Sequence, residues 1–342
     1  MRRQILLALA ALVLLCSLAF ASGQKAGEAG AEEAKQYNLK LALVGNAEQT
    51  ATKALFRFKE EVETSTDGQV TVEVHHSGSL FKRDQIVPAI MRDNLEMGMA
   101  SAPTLAEFVP YLSMFSAGYL FNDYDHMAKV LQGQMGKDLF DRTAADSGVR
   151  PLMALYLGAR QINLRDIGVE VRTPEDLKGV KLRMPGSPAW LFLGRALGAN
   201  PTPLAFGELY MALKTGTVDG QDNPLPSIKT AKFYEVTSHI SLTNHYISTV
   251  WPCISEKLWK EMGPDLQQKL TAAMENAREY NDQSNLDAEA ELVSFFKAEG
   301  LSVIEPDIRA FSSHVREAYL GNEDMIKDWD MDLYNRIVEM GQ

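Results

Sequence analysis

The chain has 342 residues, 46% hydrophobic and 23% charged, the composition of an ordinary globular protein long enough for two domains. Its net charge of −11 argues against nucleic acid or an anionic membrane surface as a partner. The two cysteines are Cys16 and Cys253; with Cys16 inside an N-terminal leader, the mature body keeps one thiol, which excludes an internal disulfide, and no metal-ligand spacing is present.

Met1-Arg2-Arg3 and the apolar run from Ile5 to Phe20 read as a secretory leader, and Ala19-Phe20-Ala21 meets the small-residue rule for cleavage before Ser22. Two rival readings stand beside it. Leu12-Val13-Leu14-Leu15-Cys16 resembles a lipoprotein signal that would put a lipid on Cys16, although Leu15 is large where a small residue is usual. The run is also just long enough to stay as an uncleaved anchor. All three place the body outside the cytoplasm, in the periplasm. Residues 22–36 are Gly, Ala, Glu and Lys with almost nothing apolar to bury, and read as a mobile tether.

Folded structure is expected from Tyr37. Leu39, Leu41 and Leu43 alternate as a first strand; Ala51, Leu55, Phe58 and Val62 have helical spacing; Val70 to Val74 alternates again after the turn at Asp67-Gly68. Strand, helix and strand in this order predict a parallel pair with a right-handed crossover. His75-His76 does not read as a metal site, because neighbours on a strand point to opposite faces. Gln85 to Arg92 is a further helix and Leu95 to Met99 a short strand, which ends at Ser101. Phe115 to Phe121 reads as core. Pro151 to Leu157 is a continuous apolar run, predicting a strand buried on both faces that ends at Gly158-Ala159-Arg160-Gln161.

Thr173-Pro174-Glu175-Asp176 carries a capping box with proline in the first turn. In Val180-Lys181-Leu182-Arg183-Met184 apolar and basic residues alternate, the period of a half-buried strand, and Pro185 stops it. Arg183 is therefore held at a strand end, where open α/β sheets bind ligands, and its guanidinium can grip a carboxylate through two parallel hydrogen bonds. Two helices follow, closed by Gly198 and Gly216. Asn223-Pro224 then turns the chain. Trp251 to Trp259 returns as a strand and a helix start. Cys253, in that apolar stretch, reads as a buried, inert core residue. From Pro264 to about Gly300 the chain reads as one very long helix or two end to end, with an early apolar stripe (Leu266, Leu270, Ala273, Met274, Ala277) and a late one (Leu292, Val293, Phe296). The polar interval between the stripes indicates a helix crossing between two lobes. Ile308 to Met340 has helical spacing and is expected on the second lobe.

Leu182-Arg183-Met184-Pro185, Gly198-Ala199-Asn200-Pro201-Thr202-Pro203, Phe206 through Tyr210 and Thr215 through Pro224 together resemble the solute receptors of tripartite ATP-independent periplasmic (TRAP) transporters, the DctP family. Weaker similarity runs from about residue 38 to residue 300. The resemblance implies an α/β, two-lobed periplasmic-binding-protein (venus-flytrap) fold with a long lobe-bridging helix. The first lobe would hold residues 37–157 with 249–288, and the second residues 158–248 with 289–342. It further implies a monomeric receptor that closes over a carboxylate-containing organic acid and hands it to the TRAP membrane subunits, with no catalysis, cofactor or metal. Arg160 carries over as a second cationic contact. Asn223 carries over as the amide beside Arg183, able to accept from that arginine and donate to the ligand. Phe206 and Trp190 would be apolar walls, with plain core packing as the alternative for each. Asn46 and Ser101 face the cleft by the end-of-strand argument and by resemblance, with ordinary turns as the alternative. The sequence departs from the family at Phe81, where glycine is usual, and at Arg83, near a usual acid. Two other functions stay open: a sensor of the same fold without transport, and a secreted hydrolase. The hydrolase is disfavoured by the lack of a Gly-x-Ser-x-Gly elbow, a His-Glu-x-x-His motif or a paired nucleophilic cysteine.

Overall fold

The computed structural model describes residues 35–341; the leader, Cys16 and residues 22–34 of the tether lie outside the described residues. In chain order the strands are β1 (Tyr37–Ala42), β2 (Val70–His75), β3 (Met97–Ala100), β4 (Val149–Pro151), β5 (Leu155–Leu164), β6 (Lys181–Met184), β7 (Asn200–Pro203), β8 (Gly220–Pro224), β9 (His239–Ser255) and β10 (Ser302–Ile304). The helices are α1 (Thr50–Ser65), α2 (Arg83–Met91), α3 (Ala102–Leu105), α4 (Tyr124–Leu131), α5 (Gln134–Ser147), α6 (Pro188–Ala196), α7 (Leu209–Thr215), α8 (Leu225–Thr230), α9 (Glu256–Ala298), α10 (Ile308–Leu320), α11 (Glu323–Ile326) and α12 (Met331–Met340).

The alternating leucines of β1 pack as expected: β1 lies parallel to β2 and to β3, with Leu39 opposite Val72 and Leu41 opposite Val74 and Met97. Likewise β6 runs parallel to β7 and β8. The strand order is β2-β1-β3-β9-β5-β8-β6-β7, with β4 and β10 also pairing β9. The two parallel sets are joined by β9, whose residues from Trp251 onward pair β3 while residues up to Val250 pair β5.

Two elements differ from the sequence reading. The apolar run at 151–157 is split: β4 ends at Pro151, and β5 begins at Leu155 and continues through Arg160 to Leu164. Arg160 thus lies within a strand, not after one. β9 has 17 residues, far longer than the stretch legible around Trp251.

Two backbone irregularities in β5, between Tyr156 and Gly158 and between Arg160 and Ile162, interrupt its ladder with β9. At the first, α9 supplies the missing partners. The Tyr156 N–H donates to Asp282 Oδ1 (2.8 Å), and the Tyr156 carbonyl accepts from the amides of Asn281 (2.7 Å) and Asn285 (2.8 Å). The Ala159 N–H and the Tyr156 hydroxyl donate to Glu289 at 2.8 Å and 2.6 Å. The polar interval of α9 is therefore not a solvated span. Asn281, Asp282 and Asn285 are buried because a bulged strand leaves backbone groups that need partners. The two apolar stripes on either side enter different cores: Leu266, Leu270 and Met274 pack with Leu39, Leu55 and Phe58, while Leu292 and Phe296 pack with Leu213, Phe233 and Ile240. Gly263, with φ +72°, breaks α9 just before Pro264, and the proline then opens the long segment, where its missing donor is no loss.

The C-terminal segment reaches both ends of the fold. The Tyr319 hydroxyl donates to the Ser116 carbonyl (2.9 Å), and His126 Nε2 lies 2.8 Å from the Ile337 carbonyl. The segment thus touches α4 as well as α6, where Phe192 meets Tyr319 edge to face.

Gly158 sits at the first irregularity of β5 with φ +110°, and an added Cβ there would lie 2.7 Å from Pro224 Cβ and 2.8 Å from Glu289 Oε1. Gly158→Ala is expected to cost about 1–3 kcal/mol of unfolding free energy. Chemical denaturation reads this directly, and an unchanged midpoint would refute it.

Candidate functional site

The carboxyl ends of the parallel strands converge on one place. Val44 and Gly45 follow β1, Ser101 follows β3, Arg183 is the next-to-last residue of β6, and Asn223 is the next-to-last of β8. These residues line a small inner cavity of about 60 Å³, together with Arg83, Arg160, Trp190, Phe206 and Ser248 to Val250 of β9. The inner cavity opens into an outer one of about 660 Å³, and Arg83, Arg183, Trp190 and Phe206 line both. Lys82, Asp84, Thr104, Glu107 and Glu208 add polar groups to the outer wall.

Arg183 is 1% exposed. Its Nε–H donates to the Leu204 carbonyl (2.8 Å), which fixes the plane of the guanidinium, and its Nη groups take no hydrogen bond among the described residues. Burial, then the positive charge of Arg83, pull its pKa down to about 9; Asp222 opposes the shift and Arg160 adds to it. This is how a buried cation behaves without an adjacent counter-charge, and a bound anion would reverse it.

Arg160 is in the opposite situation. Its Nε and Nη2 donate to the two carboxylate oxygens of Asp222 at 2.6 Å and 3.0 Å, and Nη2 also reaches the Asp222 carbonyl and Asn223 Oδ1 (3.2 Å). The guanidinium lies 4.6 Å from the centre of the Trp190 ring. Burial would raise the Asp222 carboxyl, but the charge of Arg160 and hydrogen bonds from His245 and Arg160 outweigh it and hold the group below the usual carboxylate range. His245 Nε2 lies 3.3 Å from Asp222 and Nδ1 lies 2.8 Å from the Thr243 hydroxyl. Burial lowers the His245 pKa, so the ring is neutral and adds no charge to the cluster.

Six of the seven residues expected at the site line the inner cavity: Arg183, Arg160, Asn223, Ser101, Phe206 and Trp190. Their other partners are specific. Asn223 accepts from Arg160 rather than Arg183, and its amide donates to Gln221. The Ser101 hydroxyl pairs with Thr104 (3.0 Å). Trp190 packs edge to face on Tyr246 with centroids 5.0 Å apart, and its indole N–H finds no acceptor among the described residues. Phe206 packs likewise on Phe233 at 5.6 Å. Asn46 is not among the lining residues. Its Oδ1 accepts from the backbone N–H of Glu48 and Gln49, and its amide donates to the Thr230 carbonyl at the end of α8 (3.2 Å). It ties the loop after β1 to the far side of the cavity.

Arg83 and Asp222 carry much of the site's charge. The sequence marks Arg83 as a departure from the family pattern that could change the cleft entrance or the polarity at the ligand's far end, and gives Asp222 no role. Asp222 was legible in one respect: an acid flanked by Gly220-Gln221 and Asn223-Pro224 in a buried strand requires a buried cation beside it.

Residues 41–324 match the family model for bacterial extracellular solute-binding protein, family 7 (DctP). The chain is 30% identical to a solute-binding protein of Roseobacter denitrificans over 84% of this chain and 88% of that one. It is 31% identical to the sialic acid-binding periplasmic protein SiaP of Vibrio cholerae, over 81% and 85% respectively. Among solved structures, it is similar to a TRAP periplasmic solute-binding protein of Roseobacter denitrificans with bound 3-deoxy-D-manno-oct-2-ulosonic acid. The TM-score is 0.85 and the identity 37%, over 90% of this chain and all of that one.

The buried Arg160–Asp222 pair gives a test that needs no solute. Asp222→Ala removes the counter-charge and leaves a buried guanidinium, so a loss of about 3–5 kcal/mol in stability is expected in denaturant titration. A loss under 1 kcal/mol would show that water reaches Arg160 freely.

Proposed function

The chain belongs to the bacterial extracellular solute-binding proteins of family 7, the non-enzymatic TRAP periplasmic receptors, and we propose that it captures a carboxylate-containing organic acid by closing two lobes around Arg183. The observation that carries this reading is a nearly fully buried guanidinium whose Nη groups have no partner among the described residues and which lines a cavity at the strand ends. Left unpaired, such a charge is costly; a carboxylate offsets the cost through two charge-assisted hydrogen bonds, each worth about 1.5–3 kcal/mol. Arg160 lines the same cavity as a second contact for the acid group, while Asp222 neutralises its charge. Asn223 holds Arg160 in place, and Trp190 and Phe206 shield the head group from water. Ser101, from the other parallel set, supplies a hydroxyl. Asn46 acts through its bond to Thr230, a contact across the cleft that favours the closed form.

The lobes on this reading are residues 37–157 with 249–288 and residues 158–248 with 289–342, with the C-terminal helices lapping back onto α4. The solute binds the closed arrangement better than the open one and shifts the equilibrium by that difference alone. The closed shape is then what the TRAP membrane subunits read. The leader is cleaved before Ser22 and the receptor works in the periplasm as a monomer. The relatives with bound or named sugar acids support an acid of that general class.

Calorimetry on acids drawn from a thermal-shift screen tests this. A ligand at a hundred times its dissociation constant adds about 2.7 kcal/mol of stability, enough to register in the screen. Arg183→Ala is expected to weaken binding by about a hundredfold or more. Arg183→Lys should not restore it, since the fork is lost. Wild-type affinity in Arg183→Ala would end the proposal.

A further inference from the structure

The charges around the inner cavity do not balance for a ligand with one acid group. Arg83, Arg160 and Arg183 line it, and no acidic side chain does. Asp222 stands behind Arg160 and cancels it through a bidentate pair. His245 is neutral. One carboxylate cancels Arg183. That leaves Arg83.

Arg83 opens α2, which follows β2, so it comes from the parallel set of β1 to β3 and not from that of β6. Its guanidinium takes no hydrogen bond or ion pair among the described residues, and it lowers the pKa of Arg183 by proximity. The nearby acids do not answer it. Asp84, Glu107 and Glu208 line only the outer cavity, and no ion pair joins any of them to Arg83 among the described residues. A guanidinium offers donors and no acceptor, so a group placed against Arg83 must accept, and an anionic group does so best. The inner cavity, about 60 Å³, has room for one acid group and little more. Arg83 lines both cavities, so its counterpart belongs at the mouth between them. The polar remainder of the solute would extend toward Asp84, Thr104 and Glu107, whose oxygens accept from hydroxyls.

We propose that Arg83 is a specificity-determining ligand contact, which makes the receptor select a polyhydroxylated acid carrying two anionic groups over the same skeleton carrying one. This rests on the receptor reading above. The second group is a carboxylate or a phosphate, and the test separates them.

Isothermal titration of the purified protein with matched sets of acids decides the matter: for each stereochemistry, the six-carbon aldonate, the corresponding aldarate and the 6-phosphoaldonate. In the wild type at least one of the two dianions should bind about tenfold or more tighter than the aldonate. The one that does identifies the group. In Arg83→Gln the dianion should lose about tenfold or more beyond whatever the aldonate loses. Because the Arg83 guanidinium has no partner among the described residues, the unliganded variant should melt with the wild type, which separates lost contact from lost fold. An aldonate that binds as tightly as both dianions, an Arg83→Gln variant that weakens all three equally or none, or no response to any dianion would overturn the proposal. The two readings fail differently. Wild-type affinity in Arg183→Ala removes the receptor mechanism; loss of binding there with no dianion preference removes only the role of Arg83.

Discussion

The pairing of Arg160 with Asp222 sets the terms for everything around it. Two charges are buried side by side between β5 and β8, and each would be very costly alone. Together they form a rigid, neutral block that positions Asn223, supports the Trp190 ring and meets the edge of His245. Because Arg160 is satisfied within the protein, the positive potential of the cavity comes from Arg183 and Arg83. Arg160 is thus spent on geometry, while Arg183 and Arg83 are left without a counter-charge among the described residues.

The supporting scaffold solves a second problem, that of a sheet that must bend without exposing its backbone. β5 is irregular at Tyr156–Gly158, beside the cavity residue Leu157, and an irregular strand leaves buried N–H and C=O groups. Asn281, Asp282, Asn285 and Glu289, spaced so that all face β5, satisfy those groups from α9. The same helix places its two apolar stripes in two separate cores. One element therefore enters both cores and, with its middle, supplies the partners that β5 lacks.

Local patterns in the sequence were legible where a local cause fixed them. The leucines of β1 alternate because one strand has two faces, and the capping box at Thr173–Asp176 and the stops at Gly198 and Gly216 are set by single backbone conformations. Pro185 ends β6 for want of a donor. The end-of-strand argument located Arg183, because it depends only on where a strand stops. What could not be read depended on distant partners. The full length of β9 follows from its central place in the sheet, and the burial of the α9 polar interval follows from an irregularity over 120 residues earlier in the chain. Asn46 looked like a cleft residue because it follows a strand, yet its amide is committed to its own loop and to Thr230. Arg83 was legible only as a departure near a usual acid, and its place on the wall of both cavities depends on the packing of α2 against the rest of the fold.

β9 changes partner between Val250, which faces β5, and Trp251, which faces β3. Ser248, Thr249 and Val250 at that changeover are also the floor of the inner cavity. On the receptor reading, a guest thus rests on the fulcrum itself and not on a lever arm. If the two parallel sets turn about this stretch, gripping the acid and shutting the cleft are one motion.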